Sequence, residues 1–137
     1  MGFEVYVQCF GESEGTGISR AAVRSLFPVI PAESQPDFWL VRYDDKNSCH
    51  VGVVPIPSDK EKLKSLCVER PCADSRLWDA LISILRMGSV VMFWPGSPPV
   101  VSGDGVASNL PKEMTNVIGQ AKSVGSAEEI LRLLKET

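Results

Sequence analysis

Between Asp74 and Trp94 the chain changes its hydrophobic period, and that change limits the folds open to it. From Ser75 to Met87 the apolar residues Leu77, Trp78, Leu81, Ile82 and Leu85 recur at helical spacing, so they form one stripe of an amphipathic helix. Asp74 or Ser75 supplies the cap and Gly88 the stop. Val90 to Trp94 follows at once with no polar alternation, the pattern of a strand covered on both faces. A helix joined by so short a link to such a strand must lie close to it, so Trp78 is expected to pack against a sheet.

The rest of the chain supplies that sheet. Phe3 to Phe10 alternates, with Phe3, Val5, Val7 and Cys9 on one face and Glu4, Tyr6, Gln8 and Phe10 on the other. Gly11 to Gly17 reads as a loop. Ser19 then caps a helix from Arg20 to Phe27, which Pro28 and Pro31 stop. Phe38 to Tyr43 and Ser48 to Val54 are strands joined by the polar turn Asp44-Asp45-Lys46-Asn47, and Pro55 and Pro57 are expected to end the second. Leu63 to Val68 reads as a further strand, and its charges suit a sheet edge. Pro95 to Gly105 reads as a loop, Pro111 to Gly119 as a short helix and Lys122 to Val124 as a short strand. Ser126 and Glu129 form a capping box for a last helix from Ala127 to Lys135. The predicted order is β-α-β-β-β-α-β-α-β-α, a single α+β domain over residues 1–137 with helices packed on a mixed sheet.

Charge narrows the function classes. The net charge is -3, and the excess lies early: Glu4, Glu12, Glu14, Glu33, Asp37, Asp44 and Asp45 face only Arg20, Arg24, Arg42 and Lys46 in the first 48 residues. A mildly acidic chain lacks the field that drives nucleic-acid binding, whereas a basic protein partner fits. No apolar run approaches the roughly eighteen residues of a membrane span. Met1-Gly2-Phe3-Glu4 opens directly on a strand pattern without the basic stretch of a secretory signal, so a cytoplasmic location is expected. Cys9, Cys49, Cys67 and Cys72 are accordingly expected as free thiols. With one histidine in the chain and four residues between Cys67 and Cys72, no zinc-site spacing is present, and no cofactor is implied.

The motifs that carry chemistry are incomplete. Gly11, Gly15 and Gly17 lack the Gly-Lys-Ser/Thr of a phosphate loop. Cys67 and Cys72 have Ala73 and Trp78 six residues on, where a cysteine phosphatase needs arginine. Cys49 and His50 are neighbours in a strand and point to opposite faces, so they cannot pair as nucleophile and base. Gly96-Ser97 has Pro99 where a nucleophile elbow needs its second glycine. Two surface candidates remain for a partner: the acidic turn at Asp44 and Asp45, and the stiff segment that holds Trp94 and Ser97.

The segments Arg42-Tyr43-Asp44-Asp45-Lys46-Asn47-Ser48-Cys49, Arg70 to Leu81 and Leu110-Pro111-Lys112-Glu113-Met114 resemble those of a group of short bacterial proteins of unknown function. That resemblance implies no activity and no catalytic residue. In size and charge the chain is also similar to immunity proteins of toxin systems, an analogy without a motif behind it. The sequence therefore points to a non-enzymatic protein-binding domain, of immunity type in one version. The alternative is a small enzyme or ligand-binding domain with a pocket near His50, Arg70 and Arg76.

Overall fold

In the computed structural model, which describes residues 3–10, 17–103, 106, 110, 112 and 119–136, eight strands form one sheet. They are β1 (Glu4–Cys9), β2 (Ile18–Ser19), β3 (Phe38–Arg42), β4 (Ser48–Ile56), β5 (Asp59–Glu69), β6 (Val90–Phe93), β7 (Val100–Val101) and β8 (Lys122–Ser123). The helices are α1 (Arg20–Ser25), α2 (Ser75–Leu85) and α3 (Ala127–Glu136). Seven strands lie in the order β3-β4-β5-β1-β6-β7-β8, and β2 pairs with the free stretch of β5. The sheet is mixed, as expected: β7 and β8 are parallel, and the other pairs are antiparallel. The predicted helix from Pro111 to Gly119 and the loop over 11–16 lie largely outside the described residues.

One face of the sheet carries the main core. Val5, Val7, Trp39, Val41, Val51, Val53, Leu66, Val68, Val90 and Met92 meet Val23 of α1, Leu77, Trp78 and Leu81 of α2, and Ile130 of α3. These are the inward positions that alternation assigns to each strand. Val91, between Val90 and Met92, points to the other face and joins Phe10, Val101 and Leu110 in a second cluster. β6 is thus covered on both sides, which explains its lack of polar alternation.

The caps follow the sequence. Ser19 Oγ accepts from the Ala22 N–H at 3.2 Å, and Asp74 Oδ1 accepts from the Arg76 N–H at 2.9 Å. At α3 the capping box is rearranged: Ser126 Oγ accepts from the Glu129 N–H, but the Glu129 carboxylate reaches the Gly125 N–H.

Three strand expectations need correction. β5 is no edge: it runs eleven residues and lies between β4 and β1. Its ladder passes from Val54–Ser65 to Pro55–Leu63, so Lys64 is skipped as a bulge. The bulge reverses the alternation, which lets Leu63 and Leu66 both point inward. It also lets β5 exchange β1 for β2 as its second neighbour. The same irregularity tolerates Pro55 inside β4, where the sequence expects the strand to stop. Close approach at this exchange requires Gly17, because a Cβ there would sit 2.9 Å from the Leu63 carbonyl oxygen. Finally, β7 arises within the expected Pro95–Gly105 loop, two residues long and fully buried.

Trp78 is 1% exposed and donates its indole N–H to the Cys72 carbonyl at 3.1 Å. Trp78→Ala therefore leaves both a cavity and an orphaned acceptor, and should cost about 3–5 kcal/mol. Denaturant unfolding reads this directly: a midpoint near that of the unmutated protein would contradict the core assignment.

Candidate functional site

Among the described residues, the second face of the sheet is covered only at its ends. Toward β7 the cluster of Phe10, Val101 and Leu110 covers Val91. Toward β3 the segment around Pro31–Glu33, a 3-10 turn, flanks Leu40, whose N–H donates to Ser34 Oγ at 2.9 Å. The middle is open. There the register sets a row of side chains across five strands: Phe38 opposite Gly52, Gly52 opposite Cys67, Cys67 opposite Tyr6, and Tyr6 opposite Phe93.

The row has aromatic walls and a low floor. Tyr6 and Phe93 stack with centroids 5.5 Å apart; Phe38 and His50 stack at 5.0 Å. Between them Gly52 and Cys67 present little bulk. The result is a groove of about 410 Å3, lined also by Gln8, Val54, Ser65 and Glu69. Tyr6 and Phe38 are each 38% exposed and Val54 50%. Single exposed apolar residues are ordinary, but several converging on one concavity mark an interaction surface. A glycine inside a strand commonly marks close approach by something else, and Gly52 fits that use.

The groove is acidic at one end. Glu4, Glu69 and His50 form the neighbouring row. Tyr6 Oη and the Cys67 thiol both donate to Glu4 Oε2, at 2.5 and 3.6 Å. The bond to Glu4 raises the Tyr6 hydroxyl above its ordinary range. Burial, aided by the nearby carboxylates of Glu4 and Glu69, pushes the Cys67 thiol up to about 11. Cys67 is thus held as a neutral thiol, which suits a binding floor better than a nucleophile.

The residues singled out by sequence go elsewhere. Asp44 organises its own turn, accepting from the backbone N–H groups of Lys46 and Asn47 at 2.9 Å and from Asn47 Nδ2 at 3.0 Å. Asp45 is exposed beside it. Trp94 and Ser97 are buried: the Trp94 N–H donates to Ser97 Oγ at 2.8 Å, and the Ser97 N–H donates to the Trp94 carbonyl at 2.9 Å. The Trp94 backbone and Ser97 together close a turn, and both residues are buried rather than presented as a surface. Arg76 binds Asp74 at 2.7 Å, approaches Asp44 at 3.8 Å and lies 5.0 Å from the Tyr43 ring centroid. It ties the β3–β4 turn to the start of α2. Tyr43 Oη is buried there without a hydrogen-bond partner among the described residues, and burial raises it well above the tyrosine range. His50 stacks on Phe38 on the open face, so it does not meet Arg76. Arg70 ends β5 in a left-handed backbone conformation with φ 50.

Tyr6, Phe38, Gly52, Cys67, Glu69 and Phe93 were not among the sequence candidates. A signal for them existed: the outward positions of β1, β3, β4 and β6 hold Tyr6, Phe38, Val54 and Phe93, where a solvated face would hold charges. Among the described residues no group of three or more His, Cys, Asp or Glu is placed to hold a metal ion, and no helix is long and apolar enough to cross a membrane. Comparison of the chain with protein-family models, curated proteins and solved structures finds no match. The likeness noted at 42–49 and 70–81 therefore brings no site residue with it.

Two measurements check this electrostatic description. With its thiol near 11 rather than the ordinary 9.0, Cys67 should be alkylated by iodoacetamide at pH 8 roughly tenfold more slowly than an unperturbed thiol, the lower thiolate fraction outweighing the greater nucleophilicity of the more basic thiolate. Mass-spectrometric rates that match a free thiol would refute it. The Arg76 side chain and N–H hold the Asp74 carboxyl at about 2, below its ordinary 3.8. A depressed carboxyl stabilises the fold above its unfolded value and loses that contribution as pH falls. The unfolding midpoint should therefore decline between about pH 4 and pH 2. Asp74→Asn should flatten this limb, and an unchanged limb would show that other carboxylates set it.

Proposed function

We propose that the chain is a non-enzymatic protein-binding domain whose open-face groove receives a basic segment of another protein. The observation that carries this reading is the cross-strand row Phe38–Gly52–Cys67–Tyr6–Phe93, which leaves an apolar concavity between aromatic walls. Aromatic side chains are the groups that anchor protein interfaces. A volume near 410 Å3 is large enough for a bulky side chain and its neighbours, and falls in the range of ligand sites. The sign of the partner follows from charge. Among the described residues the groove lining holds Glu69 and no lysine or arginine, and the chain carries a net charge of -3. An immunity-type role, in which this face covers a basic site on a toxin, is one biological form of the same reading.

Filling the groove tests it. A Cβ at Gly52 would rest 3.5 Å from the Phe38 ring, an ordinary contact, so Gly52→Leu should fold with a stability change within about 1 kcal/mol. Peptides selected by display against the native chain should be basic, should carry a bulky apolar residue, and should lose binding to Gly52→Leu. Selected peptides that bind both proteins equally would place the interaction elsewhere.

A further inference from the structure

The acidic end of the groove contains an arrangement that a sheet ordinarily avoids. Glu4 and Glu69 are direct partners in the β1–β5 register and point to the same open face. Like charges directly opposite each other destabilise a sheet. Among the described residues no ion pair compensates either one. Arg70 follows Glu69, but its left-handed backbone turns the chain out of the strand. The Glu4 carboxylate is already oriented, because Tyr6 and Cys67 both donate to its Oε2. Its other oxygen and the Glu69 carboxylate accept nothing further from the described residues. Beside them stands the Tyr6 ring, with one face stacked on Phe93 and the ring itself exposed along the groove.

We infer that this end of the groove seats the cation of an arginine or lysine side chain carried by the partner segment proposed above. The inference rests on that reading and assigns it a chemistry. A cation there neutralises two carboxylates at once and lies against an aromatic face, two attractions that act on the same group. Its aliphatic stem can run along the apolar floor while the charged head stays at the rim. The planar fork of arginine matches a carboxylate pair most closely. Two glutamates held opposite each other then make sense as a site whose missing charge arrives with the partner.

The test uses the full chain and two blocked alanine–leucine heptapeptides, one with arginine at its centre and one with citrulline, its uncharged isostere. Amide shifts in a 15N titration report both location and affinity. The arginine peptide should shift the amides of Tyr6, Cys67 and Glu69, and at low salt should bind roughly tenfold more tightly than the citrulline peptide. Glu69→Gln should abolish that difference while its unfolding midpoint stays at or above that of the native chain, since a like-charge contact is gone. Equal binding of the two peptides in the groove overturns the cation site and leaves the groove reading standing. No shift of groove amides with either peptide overturns the groove reading and the cation site together. A lowered midpoint for Glu69→Gln would make Glu69 a structural support and overturn the assignment.

Discussion

The three helices with described bounds all pack on one face of this sheet, and the character of the other face follows from that one-sided cover. Seven strands side by side span about 29 Å at the usual strand spacing. Helices are roughly 10 Å across, so these three suffice to cover one such face. The chain commits all three to the side that holds Val5, Val7, Leu66 and Val68. On the second side the described cover is the cluster of Phe10, Val101 and Leu110, with helical Val106 packed against it, at one end and the 3-10 turn Pro31–Glu33 at the other. The aromatic row lies between these two described covers. An exposed apolar middle costs solubility, and at such a place a partner gains most by excluding water.

Position within the sheet determines what each strand can show on that side. β1 lies between β5 and β6, so its outward residues Tyr6 and Gln8 have neighbours on both flanks, and Glu4 has Glu69 on one. A tyrosine at an edge would face solvent; at the centre Tyr6 can stack on Phe93 and share a carboxylate with Cys67. The interior placement of β5 depends in turn on the bulge at Lys64. Without the skipped residue, Leu63 and Leu66 could not both face the core. The bulge thus preserves the phase that brings Cys67 and Glu69 to the open face.

Much of the architecture is legible in the sequence because it is local. Alternation in Phe3–Phe10, the stripe from Leu77 to Leu85 and the caps at Ser19 and Asp74 each depend on residues a few positions apart. The α+β class and the mixed sheet follow from them. The site is not legible in that way, because it is made by register. Tyr6, Phe38, Gly52, Cys67 and Phe93 span most of the chain and meet only when four strand pairings are set. Local reading favoured conspicuous residues instead. Trp94 looked like an anchor because it precedes a proline and glycine segment, yet the turn that it makes with Ser97 leaves it buried. Asp44 looked like an acidic face, yet its oxygens are taken up by its own turn. β5 looked like an edge because its charges are visible in sequence and its neighbours are not.

The state of Cys67 bears on what kind of chemistry the groove supports. A thiol at about 11 leaves only about one molecule in ten thousand as thiolate at pH 7. Burial is the main cause, and the carboxylates of Glu4 and Glu69 that add to it are also the groups that would welcome a cation. An anion or a nucleophilic thiolate would be disfavoured at this end of the groove by the same field that favours a positive side chain. Cys67 contributes small size and a polarisable surface to the floor, and Gly52 beside it contributes almost none of its own. Aromatic walls, a shallow neutral floor and an acidic rim are each suited to non-covalent recognition. Their coincidence on the stretch of sheet that the described residues leave uncovered is what supports the proposed binding role.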